Sequence, residues 1–324
     1  MAYITAYSAV VEPRLGRLPV EESIESLYDH VDAFVIFDCS KYDKIDLSKY
    51  GKVKKHVKGI WNPFDNPFGS MFSQALRLVD SDTALFLDID EIFEFRQADL
   101  RTLIKQFPLE MGAGIAFPLI NYYCDRYHII DGCSSKGAHV FKMREDLYHD
   151  SLAGYWKHHN HVRRTNNDPD GCDGVRLCNG QGVPMNHYQP IDPSVACIHH
   201  TSHLDPAGKH IRSILQFNHT SAMDLREFYP FDMRLRPELI KKMTSLVEDD
   251  IRNGEIELYG NPVPFEYKEM KLFEDYIKRT GIIEFDPTTV KDYERYKNEE
   301  INQQACITDP PQEELDPGEP KRVL

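Results

Sequence analysis

Nowhere in this 324-residue chain does an apolar run approach the roughly 20 residues that crossing a bilayer requires. The opening stretch, MAYITAYSAVVEPR, lacks the basic n-region and long apolar h-region of a signal peptide. These two absences point to a cytoplasmic protein with no transmembrane segment. Basic residues are in short supply. Lysine and arginine number 38 against 52 acids, a net charge of −14, and phosphate binding by a whole surface needs the opposite balance. A local basic groove remains compatible with that total. Cysteines number seven, an odd count spread along the chain, which fits free thiols or a metal site better than a disulfide framework. The sequon Asn218-His219-Thr220 carries no meaning without a secretory signal. There is no G-x-x-x-x-G-K phosphate loop and no internal repeat.

What is present is an ordinary globular composition, 41% hydrophobic and 28% charged, in a chain long enough to bury a large core. Short apolar runs alternate with amphipathic ones. Tyr3–Tyr7, Ala33–Phe37 and Val53–Val57 read as strands, the last at an edge, and Glu21–His30 reads as a helix with acids in its first turn. Trp61–Ser70 is a structured aromatic loop, followed by a helix over Met71–Val79 that carries Ser73 and Gln74. Gln97–Phe107 is a helix with Leu100, Leu103, Ile104 and Phe107 on one face; Gly114–Tyr123, Ala138–Lys142 and Val195–Ile198 are strands. Helices are expected over Lys209–Asn218, Pro237–Asn253, Glu266–Thr280 and Tyr293–Asn302. This alternation predicts an α/β fold, a mostly parallel sheet flanked by helices, with a mainly helical C-terminal extension.

The organising stretch is Ala84–Phe95, ALFLDIDEIFEF. It begins as a buried strand and then sets down Asp88, Asp90 and Glu91 together. Carboxylates at the carboxyl end of a strand sit where open α/β sheets bind ligands. Two acids one residue apart can share a hard cation, directly or through water. The plainer reading of Asp88 and Asp90 is a solvated strand end or a cap. Glu91 reads as a residue that caps or orients the loop. Downstream, VACIHHTSHLDPAGK offers His199, His200 and His203. Alternation along a strand sends His199 and His200 to opposite faces, so only one of them can face a cleft.

These residues resemble the GT-A class of nucleotide-sugar glycosyltransferases, in the family-two-like branch with an Asp-x-Asp-Glu motif. The resemblance covers roughly residues 1–215. It implies that AFVIFDCS wraps the nucleotide base, with Asp38 as the acid contacting it, although an Asp–Ser turn explains Asp38 equally well. It places Asp88 near the ribose or a metal-bound water, and Asp90 on a Mn²⁺ or Mg²⁺ ion that bridges the diphosphate. His200 completes the metal set, Lys209 meets a phosphate, and Gln74 joins the donor-binding residues. The implied activity is transfer of a hexosyl or pentosyl group from a nucleotide sugar, UDP-linked, to the hydroxyl of an acceptor such as a glycan precursor. A divalent cation suits that chemistry because charge develops on the departing nucleoside diphosphate.

An inverting transferase also needs a carboxylate base. Glu145, Asp146 and Asp150 in KMREDLYHD are the candidates, with Asp150 and then Asp146 preferred, and Asp170 and Asp173 behind them. Trp156–Arg164, WKHHNHVRR, is the basic and aromatic stretch, read as a solvated loop or as a surface for a phosphorylated or DNA acceptor. Cys172 and Cys178, with Cys124 and Cys133 upstream and several histidines nearby, offer zinc, although their spacing matches no finger pattern. The expected organisation is a GT-A catalytic domain over 1–206, a helical region over 207–303 and a flexible acidic, proline-rich tail over 304–324. Two rival functions are a metal-dependent phospho- or nucleotidyltransferase and a non-catalytic nucleotide-binding protein of the same fold.

Overall fold

The first four strands, interspersed with helices, lie parallel. The computed structural model describes residues 2–60, 67–107, 109, 113–130, 138–151, 175–181, 187–209, 241, 242, 245, 246, 248, 249, 253 and 262–289. β1 (Ile4–Val10), β2 (Ala33–Asp38), β3 (Val53–Lys58) and β4 (Thr83–Phe86) pair in parallel in the order β3-β2-β1-β4. Side chains alternate along β1 and β2, and both faces are covered, as all-parallel pairing requires. Ile4 and Ala6 of β1 and Phe34 and Ile36 of β2 enter one core with α1 (Val20–Leu27) and α3 (Leu100–Gln106). Tyr7, Ala9, Val35 and Phe37 enter the other, under α2 (Pro67–Arg77). α1 presents Val20, Ile24 and Leu27 one turn apart, each fully buried and contributing about 1.5–3 kcal/mol. α3 starts where Asp99 accepts the Thr102 N–H at 2.7 Å.

Beyond β4 the same sheet continues through the antiparallel β9 (Val140–Lys142) to β6 (Ala113–Ala116) and β12 (His187–Pro190). The chain therefore leaves β1 to one side for β2 and β3, and returns on its other side as β4. That reversal is a topological switch point, and the carboxyl ends of the strands beside such a point are where open α/β sheets bind ligands.

Two stretches, the second of them expected to be a single strand, are each divided between two sheets. In the first, β4 ends at Phe86 and β5 (Glu91–Phe95) belongs to a second sheet, ordered β14-β8-β7-β13-β5. In the second, β6 ends at Ala116 and the chain passes through Phe117-Pro118 into β7 (Leu119–Tyr123). Proline has no N–H to continue a ladder, and here its carbonyl accepts from Ile198 at 2.9 Å. The chain then doubles back at Cys124, φ 68°, into β8 (Asp125–Ile130). β13 (Ala196–His200) lies between β7, parallel, and β5, antiparallel; β14 (Pro262–Pro264) closes the edge on β8. β10 (Tyr148–Ser151) and β11 (Val175–Cys178) form a separate antiparallel pair.

Other bounds shift by a turn or so. α2 begins at Pro67, not at Met71, because Pro67 fits a first helical position. The last described helix, α4 (Lys271–Thr280), starts five residues after Glu266 and ends at Gly281, whose φ of 64° is a left-handed cap that glycine takes without strain. α4 buries Phe273, Tyr276 and Ile277 against Ile92, Tyr122 and Leu204 of the second sheet and its flank. Arg279 pairs with Glu22 at 2.8 Å, and the Tyr276 hydroxyl donates to the Arg17 carbonyl, so α4 is also tied to the start of the chain. The described residues between 241 and 253 are helical. Residues 210–218, 293–302 and the 304–324 tail lie outside the described residues, as do Trp61–Asn66 of the aromatic loop. No helix among the described residues is long and apolar enough to cross a membrane.

Candidate functional site

Asp88, Asp90 and Glu91 do not prolong β4; they turn the chain. The last ladder bond runs from the Leu87 N–H to the Tyr7 carbonyl at 3.0 Å, and the Glu91 N–H then closes onto the Asp88 carbonyl at 3.1 Å. Leu87 and Ile89 anchor the turn in the core, while Asp88 and Asp90 are half-buried at its rim. Aspartates favour such turns because their short acceptors compete with ladder bonding. The turn sits directly past the carboxyl end of β4, beside the switch point.

The end of β13 meets this turn. The Thr201 N–H and hydroxyl both donate to the Asp90 carbonyl, at 2.9 and 3.0 Å. His200, one residue earlier, brings Nε2 to 3.2 Å from Asp90 Oδ2. Register explains the orientation of its ring. His200 lies opposite Asn121 of β7, and its Nδ1–H donates to Asn121 Oδ1. With Nδ1 carrying the proton, the lone pair of Nε2 faces a carboxylate oxygen. Two acceptors at that distance need a proton or a cation between them. Lys209 lies nearby in sequence and space, its ammonium donating to Ser202 Oγ at 3.1 Å. Asp205 holds the turn that carries it, accepting the Gly208 N–H at 3.0 Å.

Glu91 is buried behind the turn, 3.9 Å from His139 Nε2. The Phe117 N–H donates to His139 Nδ1, which leaves Nε2 as the protonated nitrogen directed at Glu91. Glu91 thus backs the turn from the core side. Neither His139 nor Asn121 was singled out from the sequence. Asn121 left a signal, as an amide inside the apolar run GIAFPLINYY; His139 left none.

Asp38 ends β2 on the same carboxyl edge. Its Oδ1 accepts the Ser40 N–H at 2.8 Å, an Asx turn, and its Oδ2 meets Lys58 at 2.6 Å and His56 at 3.0 Å. Burial pushes this carboxyl up, but Lys58, the Ser40 N–H and His56 outweigh it and hold it below the usual range. Glu12, just past β1 and unforeseen, accepts the N–H groups of Lys41, Tyr42 and Asp43 at 2.5–3.0 Å and so fixes the loop that follows Asp38. Gln74 is half-buried on α2, its amide on the Ser70 carbonyl at 3.4 Å. Asp146 is exposed and paired with Arg144 at 2.6 Å; the Gly180 N–H and Arg144 hold its carboxyl low. Asp150 stands on β10 opposite Arg176 in backbone register. Asp170, Asp173, Cys133, Cys172 and the whole of Trp156–Arg164 lie outside the described residues. Cys124, at the turn between β7 and β8, and Cys178, at the end of β11, are both buried.

The opposite face of the β5–β13 pair holds a second cluster. Cys197 is directly across from Glu94 in register, and His199 lies two residues on, on the same face. Glu94, Cys197 and His199 offer ligand atoms all within 4.8 Å of one another. His199 Nε2 is 3.0 Å from Glu94 Oε2, and the Tyr122 hydroxyl meets its Nδ1 at 2.7 Å. Arg96 pairs with Glu94 at 2.6 Å. The His199 hydrogen bond, then Arg96, pull the Glu94 carboxyl down to about 2, while burial pushes the Cys197 thiol up to about 12.

No protein-family model and no curated protein matches this chain. Among solved structures, the crystal structure of S. aureus TarS 1–349 is similar with a TM-score of 0.34 and 12% identity, covering 73% of this chain and 70% of that one. At that TM-score the similarity has no bearing on function, which the geometry of the site must carry.

Proposed function

We propose that this chain is a metal-dependent glycosyltransferase of the GT-A type, moving a hexosyl or pentosyl group from a UDP-linked sugar to an acceptor hydroxyl. The observation that carries the reading is the approach of Asp90 Oδ2 and His200 Nε2 to 3.2 Å at the carboxyl edge of the sheet, beside the switch point. Residues 110 positions apart are set there by two strand ends and a shared hydrogen bond.

The donor set fits Mn²⁺ or Mg²⁺. Neighbouring ligands on a six-coordinate ion with bonds of about 2.1 Å lie about 3 Å apart. One carboxylate and one imidazole leave most positions to phosphates and water. When bound, the ion supplies positive charge where the leaving diphosphate becomes negative. Asp90 and His200 are the residues that hold it, and Asn121 keeps the His200 lone pair aimed at the site. Asp88, at the rim of the same turn, serves the ribose or a metal-bound water. Lys209 serves a phosphate, with Asp38 and Gln74 on the nucleotide side. For the base, Asp150 is the better candidate. Asp146 is tied to Arg144 in solvent, and a lowered carboxyl is a weak proton acceptor.

The experiment is a thermal-shift panel of UDP-linked and other nucleotide sugars with and without Mn²⁺, on the wild type and Asp90→Asn. Stabilisation by donor plus Mn²⁺ that disappears in Asp90→Asn is expected. Product analysis with a labelled donor follows. Release or transfer of sugar supports the reading, whereas transfer of phosphate or nucleotide replaces it with a phospho- or nucleotidyltransferase. Full activity in Asp90→Asn rejects the metal role.

A further inference from the structure

We infer that Glu94, Cys197 and His199 form a binding site for a zinc-type divalent cation, on the face of the β5–β13 pair opposite the Asp90–His200 site. The site is separate from the proposed donor site and does not depend on it. Its geometry comes from strand register. Cys197 and Glu94 are cross-strand partners, and the two-residue repeat of a strand adds His199 to their face. The donor atoms are 3.0 Å apart for His199 Nε2 and Glu94 Oε2, 3.5 Å for Cys197 Sγ and Glu94 Oε2, and 3.9 Å for Cys197 Sγ and His199 Nε2. Ligands of a tetrahedral zinc ion, bound at 2.0–2.3 Å, stand about 3.2–3.8 Å from one another. The three atoms need only small adjustments to converge on one ion.

The chemistry selects the metal. A thiolate with an imidazole favours zinc over the hard cations that suit oxygen ligands. Thiolate and carboxylate together balance a charge of +2. The outer partners are also those of a metal site. Tyr122 sits on the second nitrogen of His199, where a hydroxyl can accept the Nδ1 proton and leave Nε2 as the ligand. Arg96 orients the Glu94 carboxylate. Access is from one side: the side chain of Glu94 is 28% exposed and that of His199 is 2% exposed, with Cys197 fully buried. Three protein ligands and an open fourth position result. An ion here fastens β5 to β13, the two strands that deliver Asp90 and His200.

The test uses the full chain, stripped with a chelator and titrated with Co²⁺, whose bound thiolate gives a near-ultraviolet charge-transfer band and whose tetrahedral sites give intense visible bands. One equivalent with both signatures, displaced by Zn²⁺, is expected for the wild type. Cys197→Ser should lose the charge-transfer band, and Glu94→Gln should weaken binding by at least about tenfold, the loss of a ligand costing no less than the loss of an outer partner. Asp90→Asn should leave the band intact. The inference is overturned if the wild type shows no thiolate band, if Cys197→Ser keeps it, or if Asp90→Asn abolishes it. Should Cys197→Ser fail to fold, Glu94→Gln decides alone, and unchanged affinity there means that the cluster is a hydrogen-bonded network only. A failed nucleotide-sugar panel would leave this spectrum untouched, so the two readings fail separately.

Discussion

His199 and His200 are consecutive residues with opposite surroundings. His200 faces the carboxyl edge of the parallel sheet, with an aspartate on one nitrogen and an asparagine on the other. His199 faces the other way, with a glutamate, a thiol and a tyrosine around it and Phe273 of α4 against its ring. The same side chain is offered only oxygen partners on one face and a thiol beside a carboxylate on the other. Donor chemistry, not the residue type, separates the site proposed for a phosphate-bearing substrate and its hard cation from the one inferred for a softer ion.

Four changes would break or sharpen that contrast. The largest effect is expected from Asp90→Asn, which should lower kcat/KM more than about a thousandfold, or about 4 kcal/mol, while the Co²⁺ band of the other face is unchanged. Steady-state kinetics at saturating Mn²⁺ measure it. Next, Asn121→Leu removes the acceptor that orients His200, and Mn²⁺ affinity should weaken about 10–100-fold. An isothermal titration with Mn²⁺ and UDP that gives equal affinity in both proteins would remove Asn121 from the site.

A third histidine tests burial without a metal role. His149 lies among Tyr7, Phe72 and Phe86, its Nε2 at 2.6 Å from the Tyr7 hydroxyl, and burial lowers its pKa to about 3. The unfolded imidazole titrates near 6.5, so between those values the unfolded state binds more protons. Stability from this group is complete above about pH 6.5 and falls by about 1.4 kcal/mol per pH unit as the solution is acidified below it. Urea midpoints at pH 7 and pH 5 should separate less in His149→Phe than in the wild type; equal separation would show that His149 is not the source. The smallest change is Tyr122→Phe. Losing the hydroxyl on His199 should cost about 1 kcal/mol of stability and shift the Co²⁺ visible bands without removing them.

The placement of each expected residue shows what a sequence can carry. Strand and helix alternation, the acid pair past an apolar run, and the even spacing that parts His199 from His200 are local regularities, and each has its counterpart in the fold. Breaks in the pattern were weaker signals. Pro118 inside GIAFPLINYY and the aspartates of DIDE mark where the chain leaves one sheet for the other, yet GIAFPLINYY reads as one strand because its residues stay apolar on either side, and EIFEF carries no sign of the second sheet that it joins. The cluster of Glu94, Cys197 and His199 had no local mark at all. Its members are ordinary residues of two strands about a hundred positions apart, and only antiparallel register makes Cys197 the partner of Glu94. Parallel register likewise sets Asn121 beside His200, and the packing of one sheet's edge against the other brings His139 to Glu91.

By itself, the sequence determined the class of fold, the turn that presents two aspartates, and the segment that supplies an imidazole to meet them, because periodicity and turn chemistry act over a few residues. Tertiary structure alone decided which histidine faces which partners. That choice depends on how two sheets divide the chain between them and on the register of strands distant in sequence, and a one-residue slip in that register would exchange the two faces.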